Sequence, residues 1–374
     1  MIYFDNAATS PIDPEVVIEM TKVMKENFGN PSSIHSFGRE ARVIIEDARS
    51  KISSFLNVSP SEIFFTSGGT EAINLIIRAC IIDLKIENVI TSNLEHHAVF
   101  KTLDYLKTKE KFNIQYVNYD KSGRIDIYDL KNKLKENPKS LVVLMHANNE
   151  IGNLLPIKKV GEFCKEFDSL FFSDTVQTMG KFENNFKKLN LDFAACSAHK
   201  LHGPKGIGFV YINGEIKINP IIFGGGQERN MRSGTENIYG ITGMAKAFEI
   251  AYREMKKTQD YLNNLKLYMI SELKKNISSI KFNGECETVG LPNIISASFP
   301  ENEKAEMLLM NLDISGVAVS GGSACTSGTS KASHVLNAID PNNNDPTIRF
   351  SFSKFNTKDE IDKCVSVMVK VLQK

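Results

Sequence analysis

Phe193-Ala194-Ala195-Cys196-Ser197-Ala198-His199-Lys200-Leu201-His202-Gly203-Pro204-Lys205-Gly206 is an apolar strand that breaks into polar and small residues. A lysine in that place is unusual, because an ammonium at the mouth of an apolar sheet must be paired or functional. Short β-rich runs ending in polar groups also occur at 62–66, 88–92, 140–145 and 169–174, and a further run covers 206–212. Helical stretches separate them. This alternation predicts an α/β fold, with a large domain around a mostly parallel sheet. Open sheets of this kind bind ligands beyond the carboxyl ends of their strands, so the polar residues there should converge on one site.

Further along, 244–276 is a long helical stretch of Lys, Glu, Met, Leu and Tyr without Pro or Gly, and it is expected to leave the first domain. Runs 294–299, 317–320 and 347–353 read as strands, and Thr357 with Glu360 forms a Thr-x-x-Glu capping box opening a final helix. The expected division is a large domain over 14–252 and a smaller α+β domain over 253–374 that also takes in 1–13. The mixed charge of the later helices favours packed helices over membrane-surface or partner-binding ones.

The chain has 374 residues, 42% of them hydrophobic and 24% charged, which suits a folded protein with a large core. Its 45 Lys and Arg against 44 Asp and Glu leave a net charge of +1, so there is no global field to attract nucleic acid or anionic lipid. Cys80, Cys164, Cys196, Cys286, Cys325 and Cys364 are scattered without paired spacing, which argues for reduced thiols. The first residues lack a basic segment followed by an apolar one, and no apolar run is long enough to span a bilayer; the expected compartment is the cytoplasm.

The strand ends carry the chemistry. Run 62–66 leads into Ser67-Gly68-Gly69-Thr70 and then a helical stretch, where small residues and free helix N–H groups can cradle a phosphate. A capped turn without a ligand fits that stretch equally well. Run 88–92 precedes Glu95-His96-His97, whose imidazoles could stack on an aromatic cofactor, move a proton or simply cap a helix. Asp174 closes its strand with Gln177 one turn later, and Lys200 follows Ser197 and His199. A desolvated Lys is a nucleophile for Schiff-base chemistry. Pyridoxal 5'-phosphate accounts for the set together, since it needs a Lys for its aldehyde, an anion site for its phosphate and an Asp for its ring nitrogen. His199 and His202 lack a third ligand at zinc spacing, and no Walker pattern occurs.

Asp5-Asn6-Ala7-Ala8-Thr9, Phe28-Gly29-Asn30-Pro31-Ser32-Ser33, Thr66-Ser67-Gly68-Gly69-Thr70-Glu71, Ser197-Ala198-His199-Lys200, Arg232-Ser233-Gly234-Thr235 and Ser323-Ala324-Cys325-Thr326-Ser327-Gly328 resemble the cysteine desulfurases of the NifS/IscS type. These belong to the class V aminotransferase-like group of fold type I pyridoxal phosphate enzymes. The resemblance runs from Tyr3 to about Leu372. It implies that Lys200 joins the cofactor aldehyde and later shuttles the α-proton. Asp174 would pair with the ring nitrogen, Gln177 with the ring oxygen, and His96 would stack on the ring. Thr70, Ser197 and His199 would hold the phosphate, with Gly69 giving backbone approach and Thr235 reaching the phosphate of the other subunit of a homodimer. Asn149 and Arg349 would bind the substrate carboxylate. Arg349 also suits this physically, because Ile348, Phe350 and Phe352 take the apolar face of its strand and leave the guanidinium on the other.

Cys325 separates a desulfurase from a generic aminotransferase. It sits in a run of small polar residues, where a nucleophilic thiol is more natural than a buried one. The implied reaction takes sulfur from L-cysteine, releases L-alanine and leaves a persulfide on Cys325, with His96 as a candidate proton acceptor. The sulfur would pass to an acceptor protein such as an iron–sulfur scaffold or a thiolation enzyme. Longer members of the family carry a tail that docks such a scaffold, which puts that acceptor in question for a chain stopping at Lys374. The rival readings are a selenocysteine lyase, a class V aminotransferase acting on another amino acid, or a non-enzymatic sulfur-trafficking scaffold, against which Lys200 argues.

Overall fold

The computed structural model describes residues 1–300, 307–321, 333–342 and 345–373. Its centre is a seven-stranded sheet built from β2 (Ile63–Thr66), β3 (Asn88–Thr91), β4 (Asn113–Tyr116), β5 (Leu141–Val143), β6 (Leu170–Asp174), β7 (Phe193–Ser197) and β8 (Gly208–Ile212). The order is β2-β8-β7-β6-β5-β3-β4, in which β8 runs antiparallel to both neighbours and every other pair is parallel. The sheet is therefore mostly parallel, as expected. Edge strand β4 is not evident in the sequence, because its residues are half-buried or exposed and carry no apolar run.

Both faces of the sheet are covered, and β7 shows how the pleat divides them. Ala194 and Cys196 point into a cluster shared with α1 (Pro14–Glu26), α2 (Ser36–Leu56), α5 (Ile127–Glu136), α6 (Ile157–Glu166) and the first part of α7 (Ile238–Asn276), while Phe193 and Ala195 point into one shared with α3 (Gly69–Ile82) and α4 (His97–Lys107). With apolar residues required on both sides, the strand reads as a continuous hydrophobic run until its polar end.

Helix α7 spans 39 residues and begins ahead of the expected glycine-free stretch, with Gly240 and Gly243 inside it, because Asn237 caps it by accepting the Gly240 amide at 3.0 Å. Its first half, through Ile250, packs on the large sheet, and Leu262, Leu265, Met269 and Leu273 enter a separate cluster with Phe4, Ile295, Ile348, Phe350 and Phe352. That cluster lies on a three-stranded antiparallel sheet of β9 (Lys281–Asn283), β10 (Ile294–Ser298) and β12 (Thr347–Ser351), in the order β12-β10-β9. The final helix, Lys358–Gln373, closes it. Its capping box forms, with Thr357 N–H donating to Glu360 Oε2 at 3.0 Å and Glu360 N–H to Thr357 Oγ1 at 3.3 Å. At the N-terminus, β1 (Ile2–Tyr3) pairs in parallel with β11 (Val317–Ala318). This pairing carries the following residues across the ends of the large sheet. No described helix is long and apolar enough to cross a membrane.

Candidate active site

The turn after β2 is forced by glycine. Gly68 has φ +155°, and a side chain on Gly208 of the neighbouring strand would come 2.7 Å from the Gly68 Cα. Close approach of the two backbones sets the start of α3, where Gly68 supplies no side-chain cap. The Gly69 amide donates to Ser197 Oγ at 2.9 Å, joining the ends of β2 and β7, while Thr70 stands exposed beside them. An uncapped helix start with a hydroxyl on each side suits an anion.

His96 is the N-cap of α4. Its Nδ1 accepts the Ala98 amide at 3.1 Å, so the capping role and the place at the cavity are held by the same ring. Burial lowers its pKa, opposed by Asp174 and reinforced by Lys200. Asp174 is buried at the end of β6, where Oδ1 accepts the Val176 amide at 3.0 Å. Burial raises its pKa, while His96 and Lys200 pull it down. Gln177, one turn on, donates from Nε2 to the Ala7 carbonyl at 3.0 Å.

Lys200 lies in the short turn after β7, and its Nζ donates to the carbonyls of Ala7 at 2.6 Å and Ala8 at 2.7 Å. His199 Nδ1 lies 3.2 Å from Thr9 Oγ1, and burial, then Lys200, lowers its pKa to about 4. On the other side of the cavity Arg349 projects from β12, its neighbours Ile348 and Phe350 fixed in the small apolar cluster as the alternation predicts. The guanidinium donates to Asp5 Oδ1 and to the backbone carbonyl of Asn149, each at 2.8 Å.

Gly69, Thr70, His96, Asn149, Asp174, Gln177, Ser197, His199, Lys200 and Arg349 all line one cavity of about 480 Å³. Thr235 does not. It is exposed and lines a separate small cavity with Phe65, Gly206 and Glu236. Cys325 lies outside the described residues.

The sequence gives no structural cue to the part played by segment 5–9. Ala7, Ala8 and Thr9 line the cavity and touch Lys200, Gln177 and His199, and Asp5 holds Arg349. The segment follows a two-residue strand whose partner lies at the opposite end of the chain, so only its match to a family motif marks it. A second amine, Lys181, is also unforeseen. It donates to the Gln177 carbonyl at 2.9 Å, and burial, then Lys200, lowers its pKa to about 8.

The donor set fits pyridoxal phosphate. An uncapped helix start suits a phosphate, a buried carboxyl tied by one amide among the described residues suits a protonated ring nitrogen, and an amine lines the same cavity.

Residues 2–364 match the family described as aminotransferase class V. A cysteine desulfurase IscS from Dictyoglomus turgidum is 44% identical, with 100% of this chain and 95% of that protein covered. A putative cysteine desulfurase IscS 1 from Bacillus subtilis is 39% identical over 100% and 99%. Among solved structures, a NifS-like protein superposes with a TM-score of 0.92 at 38% identity, covering 100% of this chain and 99% of the other. The apo structure of the cysteine desulfurase from Thermococcus onnurineus gives 0.89 at 26% identity, covering 100% and 94%.

Proposed function

Since the chain belongs to the class V aminotransferase family and is a pyridoxal-phosphate-dependent cysteine desulfurase of the NifS/IscS type, we propose that the cavity at the strand ends is where cofactor, L-cysteine and a thiol of this chain meet. Gly69, Thr70, Ser197 and His199 would hold the cofactor phosphate, Asp174 its ring nitrogen, Gln177 its ring oxygen, and His96 its ring face. The bound cofactor supplies an electrophilic aldehyde and a sink for electrons.

The chain's own groups do the rest. Arg349 takes the substrate carboxylate through its remaining N–H donors, with Asn149 lining the same cavity. Lys200 would hold the cofactor through its aldehyde and, once its Nζ is free again with the substrate bound, would take the proton from the substrate Cα and hold it at Nζ. Burial raises the Asp174 pKa, and a cationic ring N–H placed against the carboxylate would favour its ionised form. Cys325, as thiolate, attacks the substrate sulfur. An S–S bond forms, the C–S bond breaks with its electron pair left on carbon, and protonation of that carbon gives L-alanine. The product on the enzyme is a Cys325 persulfide, which an acceptor protein in iron–sulfur assembly or in tRNA or cofactor thiolation would take.

Exposure of Thr235, which lines an adjoining small cavity and not the chain's own large one, supports a homodimer in which Thr235 completes the partner's phosphate site. Separate apolar clusters on either side of the middle of α7 support a large domain over 14–252 and a small one over 253–374 with 1–13. The balanced charge and the absence of a membrane-spanning helix among the described residues support a cytoplasmic enzyme without membrane or nucleic-acid partners. A lyase or aminotransferase acting on another amino acid is the weaker reading, since relatives matched across the whole chain carry the desulfurase name.

The observation that carries the assignment is the meeting of Lys200, Asp174, His96 and Arg349 with an uncapped helix start around one cavity. The test is reconstitution with pyridoxal phosphate in the native chain and in Cys325→Ala. Both should gain visible absorption, and only the native chain should release sulfide from L-cysteine. Undiminished sulfide release by Cys325→Ala would remove that residue from the mechanism.

A further inference from the structure

Arg349 is inside the protein, with 1% of its side chain exposed, a place where a guanidinium needs a counter-charge. Asp5 provides it. A single oxygen, Asp5 Oδ1, accepts from Arg349 Nη2 at 2.8 Å and from Ser320 Oγ at 2.8 Å. Backbone bonds reinforce the link, with the Arg349 amide donating to the Ser320 carbonyl at 2.7 Å. Nη1 is taken by the Asn149 carbonyl, while the buried Nε has no partner among the described residues. The guanidinium therefore keeps a donor for a ligand, but its charge is already matched by a carboxylate.

We propose that Asp5 is a positioning residue that tempers the substrate-carboxylate site by sharing Arg349, and that an arriving carboxylate shifts Asp5 from Arg349 toward Ser320. The inference rests on Arg349 being the carboxylate site. Its physical basis is like-charge repulsion. Two carboxylates on one guanidinium lie within a few ångströms of each other in a little-hydrated place, and each weakens the hold of the other. A tempered site lets L-alanine, which keeps the substrate carboxylate, leave after sulfur has been removed.

Asp5→Asn isolates the effect, because the amide oxygen can still accept both hydrogen bonds while the charge is gone. In the holoenzyme, calorimetric binding of L-alanine should tighten about tenfold, the size expected for one partly screened charge. The KM for L-cysteine should fall in step without a rise in kcat. Binding of 2-aminoethanethiol, which lacks a carboxylate, should not move. Ser320→Ala should act in the opposite direction, since Asp5 then belongs wholly to Arg349, and L-alanine should bind about threefold more weakly. Unchanged or weaker L-alanine binding in Asp5→Asn, or an equal shift for 2-aminoethanethiol, overturns the proposal. Should Asp5→Asn not fold, Ser320→Ala decides, and unchanged or tighter binding there overturns it. Arg349→Gln separates the two layers. If it leaves L-alanine binding intact, the assignment of Arg349 falls; if it abolishes binding while Asp5→Asn brings no tightening, only the role of Asp5 falls.

Discussion

His96 Nδ1 accepts the amide hydrogen of Ala98 at 3.1 Å, which fixes the tautomer of the ring at the cavity. With that lone pair engaged, the neutral imidazole carries its hydrogen on Nε2 and acts there as a donor. Burial holds the ring neutral. For His96 to accept a proton, as its sequence context also allows, the cap of α4 would have to open.

The two duties of His96 can be separated. Asn is among the best N-cap residues, so His96→Asn should keep α4 capped and leave stability within about 1 kcal/mol of native, whereas His96→Ala should lose about 1 kcal/mol more. Desulfuration should fall roughly a hundredfold in both, because neither offers a ring. Denaturant midpoints and sulfide release measured on the same preparations check this. Retained activity in His96→Asn would make the residue only a cap.

Arg49 and Glu228 form a buried pair at 2.8 Å, and Glu228 Oε2 also accepts the Phe65 amide at 2.7 Å. Glu228, Arg229 and Asn230 all have positive φ, so this carboxylate holds a strained turn that precedes Thr235 against β2. Glu228→Ala leaves the buried Arg49 with the partly exposed Glu46 at 3.3 Å as its counter-charge and should lower stability by about 3 kcal/mol, the low end for breaking a buried pair. If Thr235 serves a second copy of the chain, dimer affinity measured by sedimentation should fall with it.

A methyl group on Gly208 would run into the Cys196 carbonyl of β7 and come 2.7 Å from the Gly68 Cα, so it cannot be accommodated without moving the backbones that meet at the start of α3. Gly208→Ala should displace the turn that starts α3, and with it the anion site. Pyridoxal phosphate affinity should drop at least tenfold, read from the visible absorption during titration. Unaltered affinity would mean that the turn does not hold the phosphate.

Buried histidines set an acid limit. His146 is buried and has its pKa lowered to about 4 by burial, and His202 is lowered to about 4 by the same cause. Their folded pKa lies below the unfolded value near 6.5, so the unfolded chain binds more protons between about pH 6.5 and 4, and stability is lost as pH falls through that window. His146→Gln removes one such group. The stability of the native chain relative to this variant should decline by about 1.4 kcal/mol per pH unit at the steepest point below 6.5 and level off above about pH 8. Denaturant unfolding at several pH values tests it.

Lys200, Asp174 and Gly69 were legible because alternation of strand and helix fixes which strand ends converge, and a polar residue ending an apolar run stands out. The reversed direction of β8 was not, since strand polarity leaves no mark on an apolar pattern. The contribution of Asp5 to the Arg349 site depends on two short strands from opposite ends of the chain pairing, β1 with β11, and nothing local announces that pairing. Lys181 was hidden for a similar reason. Its bond to the Gln177 carbonyl is local, but its neighbour Lys200 arrives from another strand.

In the proposed reaction, sulfur taken from L-cysteine at Lys200 comes to rest on Cys325. Peptide mass spectrometry of the holoenzyme after L-cysteine, without reductant, measures this directly when paired with alanine quantification. One added sulfur is expected on the peptide containing Cys325, matched by one L-alanine, and neither in Lys200→Ala. Added sulfur on a different cysteine, or alanine formed while Cys325 stays unmodified, would contradict it.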